Sequence, residues 1–242
     1  VTRTVKVDTR KSFQLEMLGP TEYSEYSCSY GKTEQATRLG QFSHQFDFSV
    51  LTVLDAKKAD LVHKRFFDLL LEAAKRATEY EAIDSVRIAD DFCSYTGSNY
   101  RPDFTETILR RQFELGRTLI SRGKLPVLHS DGDIRSYLTF LSQAYSGFHP
   151  LDLRSKSTVS DAHKWAAVLA DVRRLQPESV FFTGMPIDLL CNSEVSANDL
   201  VGVVRHVIES VGRDRLVLTT THRPYPGWSF SDFEHKVDAV KR

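Results

Sequence analysis

The feature that most restricts the fold is an alternation: between Leu61 and Val240, apolar runs of strand length and amphipathic helical stretches succeed one another five times. Leu61, Val62, Phe66, Leu69, Leu70, Ala73, Ala74 and Ala77 recur at spacings of three and four, the stripe of a helix with one face on a core. Strands are expected at Val86 to Ala89, Pro126 to His129, Phe148 to Leu153, Val180 to Gly184 and Leu216 to Thr220. Helices are expected at about Asp103 to Arg122, Ile134 to Tyr145, Ala162 to Leu175, Ala197 to Val211 and Ser231 to Val240, with Pro102 and Gly123 bracketing the first. Such alternation implies parallel strands joined by right-handed helical crossovers.

An open, doubly wound nucleotide-binding sheet and a closed barrel both satisfy this pattern. The chain has neither G-x-G-x-x-G nor G-x-x-x-x-G-K-S/T, so an α/β barrel of the TIM type, (β/α)8, is the expected fold. The 242 residues fit one domain over 1–242, since such a barrel takes about 250 residues. Five strand-helix units occupy 61–242, and residues 1–54 form an irregular N-terminal part. There Thr4 to Asp8 alternates like an exposed strand, Glu22 to Tyr30 reads as a tyrosine-rich loop, and Phe46 to Leu54 reads as a strand. Five strands fall short of eight, so the barrel is expected to be incomplete. Because the chain opens on Val1, upstream segments are expected to be missing from it.

Charge removes several classes of partner. Lys plus Arg and Asp plus Glu each number 32, which leaves no basic field to gather nucleic acid or an anionic membrane. No apolar run reaches a membrane span of about 20 residues, and the N-terminus has no signal-peptide core. Cys28, Cys93 and Cys191 stand far apart, against both a disulfide framework and a zinc knuckle, and a cytoplasmic location is expected. Cys93 reads as a small buried residue, with no histidine near it in sequence to make it a nucleophile.

In a barrel the site lies at the carboxyl ends of the strands. Polar residues reach those positions at Asp90 and Asp91, at His129, Asp131 and Asp133, at His149 and Asp152, at Asp188, and at Thr219 to His222. Asp90 and Asp91 read as a general acid or a cation-binding pair, against a surface cap. His129 and Asp131 sit two apart on one face of an extended chain, which suits metal ligation or a carboxylate-oriented imidazole. Asp131 or Asp133 capping the next helix is the plainer alternative. His222 opens the stretch His-Arg-Pro-Tyr-Pro, in which prolines can hold an imidazole over a pocket, against simple loop packing. His149 falls inside its strand and divides evenly between the two readings.

The order and spacing of Ile88-Ala89-Asp90-Asp91-Phe92, the Pro102-to-Arg111 helix start, Leu128-His129-Ser130-Asp131-Gly132, Thr183-Gly184-Met185-Pro186-Ile187-Asp188 and Thr221-His222-Arg223-Pro224-Tyr225-Pro226 carry a resemblance. From about Leu61 to Val240, some three quarters of the chain, the sequence resembles the uroporphyrinogen decarboxylase superfamily, which includes zinc-dependent, cobalamin-linked methyltransferases. The resemblance implies a TIM-type barrel and a homodimer.

It also implies a carboxy-lyase acting on a tetrapyrrole-type acid without a cofactor, with Asp90, Asp91, His129 and His222 catalytic and Asp131, Asp188 and Tyr225 binding substrate. His222 with Tyr225-Pro226 is similar to the decarboxylase His-Gly-Leu-Tyr-Pro element, whereas the Arg-Gln-Ala-Gly-Arg element is absent from this sequence. The alternative is methyl transfer to or from a corrinoid protein. Its zinc or other divalent ion would sit on His129, Asp131 and His222, where the methyltransferases carry His-x-Cys and a later Cys. A third expectation, from the absent elements, is a catalytically inactive binding subunit.

Overall fold

The computed structural model describes residues 12–16, 45–152, 158–224 and 228–242. Strand β1 (Ser12–Glu16) precedes helices α1 (Gln45–Leu54) and α2 (Ala56–Ala77) and strand β2 (Ser85–Ala89). A two-stranded hairpin, β3 (Cys93–Ser94) and β4 (Gly97–Ser98), leads to α3 (Pro102–Ser121) and β5 (Leu125–Ser130). A 3-10 turn (Arg135–Tyr137) and the single turn α4 (Leu138–Leu141) precede β6 (Gly147–Pro150). Then come α5 (Val159–Leu175), β7 (Val180–Met185), α6 (Ile187–Cys191), α7 (Ala197–Val211), β8 (Leu216–Thr220) and α8 (Phe230–Lys241).

The main sheet has six strands in the order β1-β2-β5-β6-β7-β8, and every neighbouring pair is parallel. Spatial order therefore follows chain order. A doubly wound sheet reverses direction at a switch point so that helices cover both faces, whereas right-handed crossovers in unbroken order put the helices on one face. Unbroken order of this kind is compatible with a stretch of barrel wall. Among the described residues β1 and β8 remain the two edges, so the sheet is compatible with part of a barrel rather than a closed one.

Strand alternation divides the residues between two environments. Val86, Ile88, Leu128, Phe148 and Phe181 are fully buried in one core with Leu115 and Leu119 of α3, Leu169 of α5 and Val207 of α7. The opposite parity carries Arg87, Ala89, His129 and His149, of which Ala89, His129 and His149 are in register across β2, β5 and β6. The helices begin where their caps dictate. Thr158 and Ser196 form reciprocal capping boxes with Asp161 and Asp199, and Asp55 accepts from the Lys58 amide.

Three sequence expectations change. Phe46 to Leu54 lies within α1 rather than a strand, with Phe48 buried against the α2–α3 pair, since a short apolar run has no period that separates the two states. The helix expected from Ile134 to Tyr145 is cut to a 3-10 turn and α4, because the Ser146 amide must bond the Pro126 carbonyl for β6 to join the sheet. There the chain lies directly on α3, where a Cβ at Gly116 would stand 2.1 Å from the Ala144 carbonyl oxygen. Strand β6 ends at Pro150 rather than Leu153, as Leu151 turns to φ 52° and its carbonyl accepts the Trp165 indole N–H at 2.8 Å. Thr4 to Asp8, Glu22 to Tyr30, Cys28 and Tyr225 lie outside the described residues. Among the described residues no helix is long and apolar enough to cross a membrane.

Candidate functional site

The carboxyl end of β2 separates the two adjacent acids. The Asp90 amide donates to the His129 carbonyl at 2.9 Å, so the ladder with β5 runs one residue past the strand and the pleat sends consecutive side chains apart. Asp90 has the parity of Ile88 and is buried in the helix layer, where Gln112 of α3 donates to its Oδ2 at 2.7 Å. Tyr145 in turn donates to Gln112 Oε1. Burial pushes the Asp90 carboxyl up to about 7, the Gln112 bond opposes the rise, and the Asp91 charge adds to it.

Asp91 has the other parity and joins a cluster with His129, His149, Asp131 and His222. Its Oδ1 accepts from the Asp131 amide at 2.8 Å. His129 Nε2 stands 3.9 Å from that oxygen and 3.7 Å from Asp131 Oδ1, while His222 Nε2 stands 3.7 Å from Asp131 Oδ2. Asp131 therefore lies between the two imidazoles. On its far side His129 meets His149, Nδ1 to Nδ1 at 2.6 Å, and His149 Nε2 donates to the Thr220 carbonyl at 3.1 Å. The His222 Nδ1 is 2.9 Å from the Arg223 carbonyl oxygen. Burial, followed by the charge of Arg87, holds His129 well below the usual imidazole range and brings His149 to about 3, so both rings are neutral at pH 7.

The turn carrying Asp131 is pinned by its neighbours. Gly132 adopts φ +82°, and a Cβ there would stand 2.7 Å from the Cys93 carbonyl oxygen, so the β3–β4 hairpin packs against bare backbone. The Asp133 amide then donates to the Ser94 carbonyl at 2.9 Å. Asp133 does not cap the 3-10 turn, whose first residue is preceded by Ile134 without a side-chain cap, but it bonds locally to Arg135. Its Oδ1 accepts from the Arg135 amide at 3.0 Å, and its carboxyl is held below the usual range by the Arg135 guanidinium at 2.6 Å.

Of the residues expected from sequence, Asp91, His129, Asp131 and His222 come together, and Asp90 sits behind them in the helix layer. Asp188 is half-buried in the first turn of α6, beyond the end of β7. Thr221 fastens that end of the sheet, its amide donating to the Met185 carbonyl at 3.0 Å and its hydroxyl accepting from the Ile187 amide at 3.2 Å. Asp152 accepts from the Tyr95 hydroxyl at 2.9 Å. Burial pushes the Cys93 thiol up to about 12, in keeping with a packed rather than a reactive cysteine.

Arg87 and Gln112 were not singled out by sequence, and His149, which divided evenly between a site role and a structural one, joins the cluster. The available signal was register: His129 and His149 are the first polar residues after the apolar runs of two successive strands, and they pair directly. Among the described residues, Asp91, His129 and Asp131 form a group able to hold a metal ion, offering one ligand atom each with all three atoms within 4.8 Å of one another. His222 stands one carboxylate away from that group. No family model matches this chain, and no curated protein matches it.

Proposed function

We propose that this chain is a metal-dependent enzyme on a barrel-type α/β sheet, with a divalent cation held by Asp91, His129 and Asp131. The observation that carries this reading is the pair of separations from His129 Nε2 to the carboxylate oxygens, 3.9 and 3.7 Å. They are too long for hydrogen bonds. Two donor atoms each about 2.1 Å from one cation stand roughly 3 to 4 Å apart, so the spacing fits ligands of a shared ion. One imidazole and two carboxylates form a hard donor set, suited to Zn²⁺ or another divalent first-row ion.

Such an ion supplies a Lewis acid that lowers the pKa of a bound hydroxyl or water and polarises a bound oxygen. The chain's own residues do the rest. The Asp131 amide fixes the Asp91 carboxylate, the hairpin fixes Asp131, and burial keeps His129 neutral. His222, beyond Asp131 Oδ2, is placed to exchange a proton with a substrate bound on the open side of the cluster. Methyl transfer involving a corrinoid partner is the reaction that the sequence resemblance favours for this arrangement. The oxygen-rich donor set favours a hydroxyl or carboxylate substrate over a soft thiol.

Cofactor-free decarboxylation of a tetrapyrrole acid is the second reading. It is supported by Asp90, whose buried carboxyl keeps its proton to about pH 7. It ranks lower because Asp90 faces Gln112 in the helix layer rather than the cluster. Elemental analysis of the protein after equilibration with Zn²⁺, Mn²⁺ or Fe²⁺ tests the choice. One ion per chain is expected, lost in His129→Ala and in Asp131→Ala. Absence of any stoichiometric ion in the wild type would overturn the metal reading, and turnover of a methyl donor would remove the inactive-subunit alternative.

A further inference from the structure

A ring nitrogen can bind a cation only through its lone pair, so a histidine ligand must carry its proton on the other nitrogen. Neutral imidazole chooses freely between two tautomers unless a neighbour decides for it. Three strands supply that neighbour here. The Thr220 carbonyl at the end of β8 can only accept, so His149 Nε2, 3.1 Å away, carries a hydrogen. The two Nδ1 atoms of His149 and His129 are 2.6 Å apart and leave room for one hydrogen between them. A neutral imidazole carries a single ring hydrogen, and that of His149 is already on Nε2. The shared hydrogen therefore belongs to His129 Nδ1, and His129 Nε2 is left bare.

That bare nitrogen is the one facing Asp91 and Asp131. We propose that His149, anchored by the Thr220 carbonyl, is a positioning residue that fixes the tautomer of His129 and so presents its lone pair to the carboxylates. The proposal rests on the metal reading for its purpose, but the tautomer exists without the ion. A cation site would thus be prepared from β8 through β6 to β5 before any ion arrives. In the register His149 pairs with His129 across neighbouring parallel strands, which holds the two rings at a centroid distance of 4.8 Å.

The test is nitrogen-15 NMR of the histidine side chains in metal-free protein at neutral pH, with His129→Gln and His149→Gln supplying assignments. His129 Nε2 is expected to give an imine-type signal and His149 Nε2 a pyrrole-type one. In His149→Leu, which removes the acceptor, His129 should shift toward the opposite tautomer and affinity for Zn²⁺ should fall 10- to 100-fold. His149→Gln can still accept from His129 and donate to Thr220, so it should keep affinity within a few-fold. A pyrrole-type His129 Nε2 in the wild type would overturn the proposal, as would a Leu variant that keeps both tautomer and affinity. If the Leu variant does not fold, the wild-type spectrum and the Gln variant still decide. An imine-type Nε2 in a wild type that binds no divalent ion would support the lock and sink the metal reading.

Discussion

His63 and His129 are both buried imidazoles held neutral by their surroundings, yet one closes a polar cluster and the other leaves one open. His63, on α2, is 4 % exposed and packs in a three-ring cluster with Phe48 and Phe104. Arg111 of α3 donates through Nη1 to His63 Nδ1 at 2.7 Å and through Nη2 to Asp60 at 2.6 Å. Donors there meet acceptors of fitting geometry, and a cluster of that kind ties two helices together. At the strand ends, a ring nitrogen faces carboxylate oxygens across 3.7 and 3.9 Å, beyond hydrogen-bond reach. The difference separates a polar cluster that finishes the fold from one that, on the proposed reading, is arranged around a cation.

Breaking the open cluster should have the largest effect and leave the fold intact. Asp131→Ala is expected to weaken divalent-ion binding on the order of 10³-fold, about 4 kcal/mol, in calorimetric titration. Unfolding of the metal-free variant in denaturant should show a far smaller loss, under about 1 kcal/mol, since the carboxylate faces the two imidazoles across 3.7 Å rather than through hydrogen bonds. A parallel loss of stability would mean that the strand-end cluster is structural after all.

The closed cluster should respond to acid. Burial and the Arg111 charge bring His63 from 6.5 to about 4. A histidine lowered in this way contributes stability that is fully present above pH 6.5, declines as the unfolded chain takes up its proton, and is gone below pH 4. The span corresponds to about 3 kcal/mol. Asp90 acts in the opposite sense, since a raised carboxyl favours the folded state more as pH falls. The difference between wild type and His63→Gln isolates the His63 contribution, and it should shift by about 3 kcal/mol in the variant's favour between pH 7 and pH 4. A difference that stays constant with pH would show that His63 does not titrate as its surroundings dictate.

Arg111→Ala should cost less, about 2 kcal/mol, by leaving the His63 acceptor buried without its donor. Ion affinity should not change. Asp60→Asn tests the outer end of the same cluster. Because the Asp60 side chain is half exposed, its loss should cost under about 1 kcal/mol in chemical denaturation. A larger loss would mean that the Arg111 pair, rather than the buried imidazole, holds α2 to α3.

Most of the strand-end chemistry was legible in the sequence because a parallel strand announces itself as an apolar run that stops at polar residues. Asp91, His129, Asp131 and His222 all follow such runs. What periodicity could not supply was the side of the sheet. Asp90 and Asp91 look equivalent in sequence, and only the pleat sends one to Gln112 and the other to His129. Pairing between strands was equally hidden: His149 became part of the site through register with a residue 20 positions away. The helix expected after Asp133 failed for a tertiary reason, the close approach of Ala144 to Gly116, which no local pattern encodes. The run from Phe46 to Leu54 is apolar enough for either state, and burial of Phe48 against α2 and α3 decided it.

The most direct test of the central claim is anomalous diffraction from crystals of the wild-type protein grown with Zn²⁺ or Mn²⁺. The account predicts one strong anomalous peak within bonding distance of Asp91, His129 and Asp131. Crystals saturated with either ion that show no peak at that position, or peaks only at surface carboxylates, would contradict it.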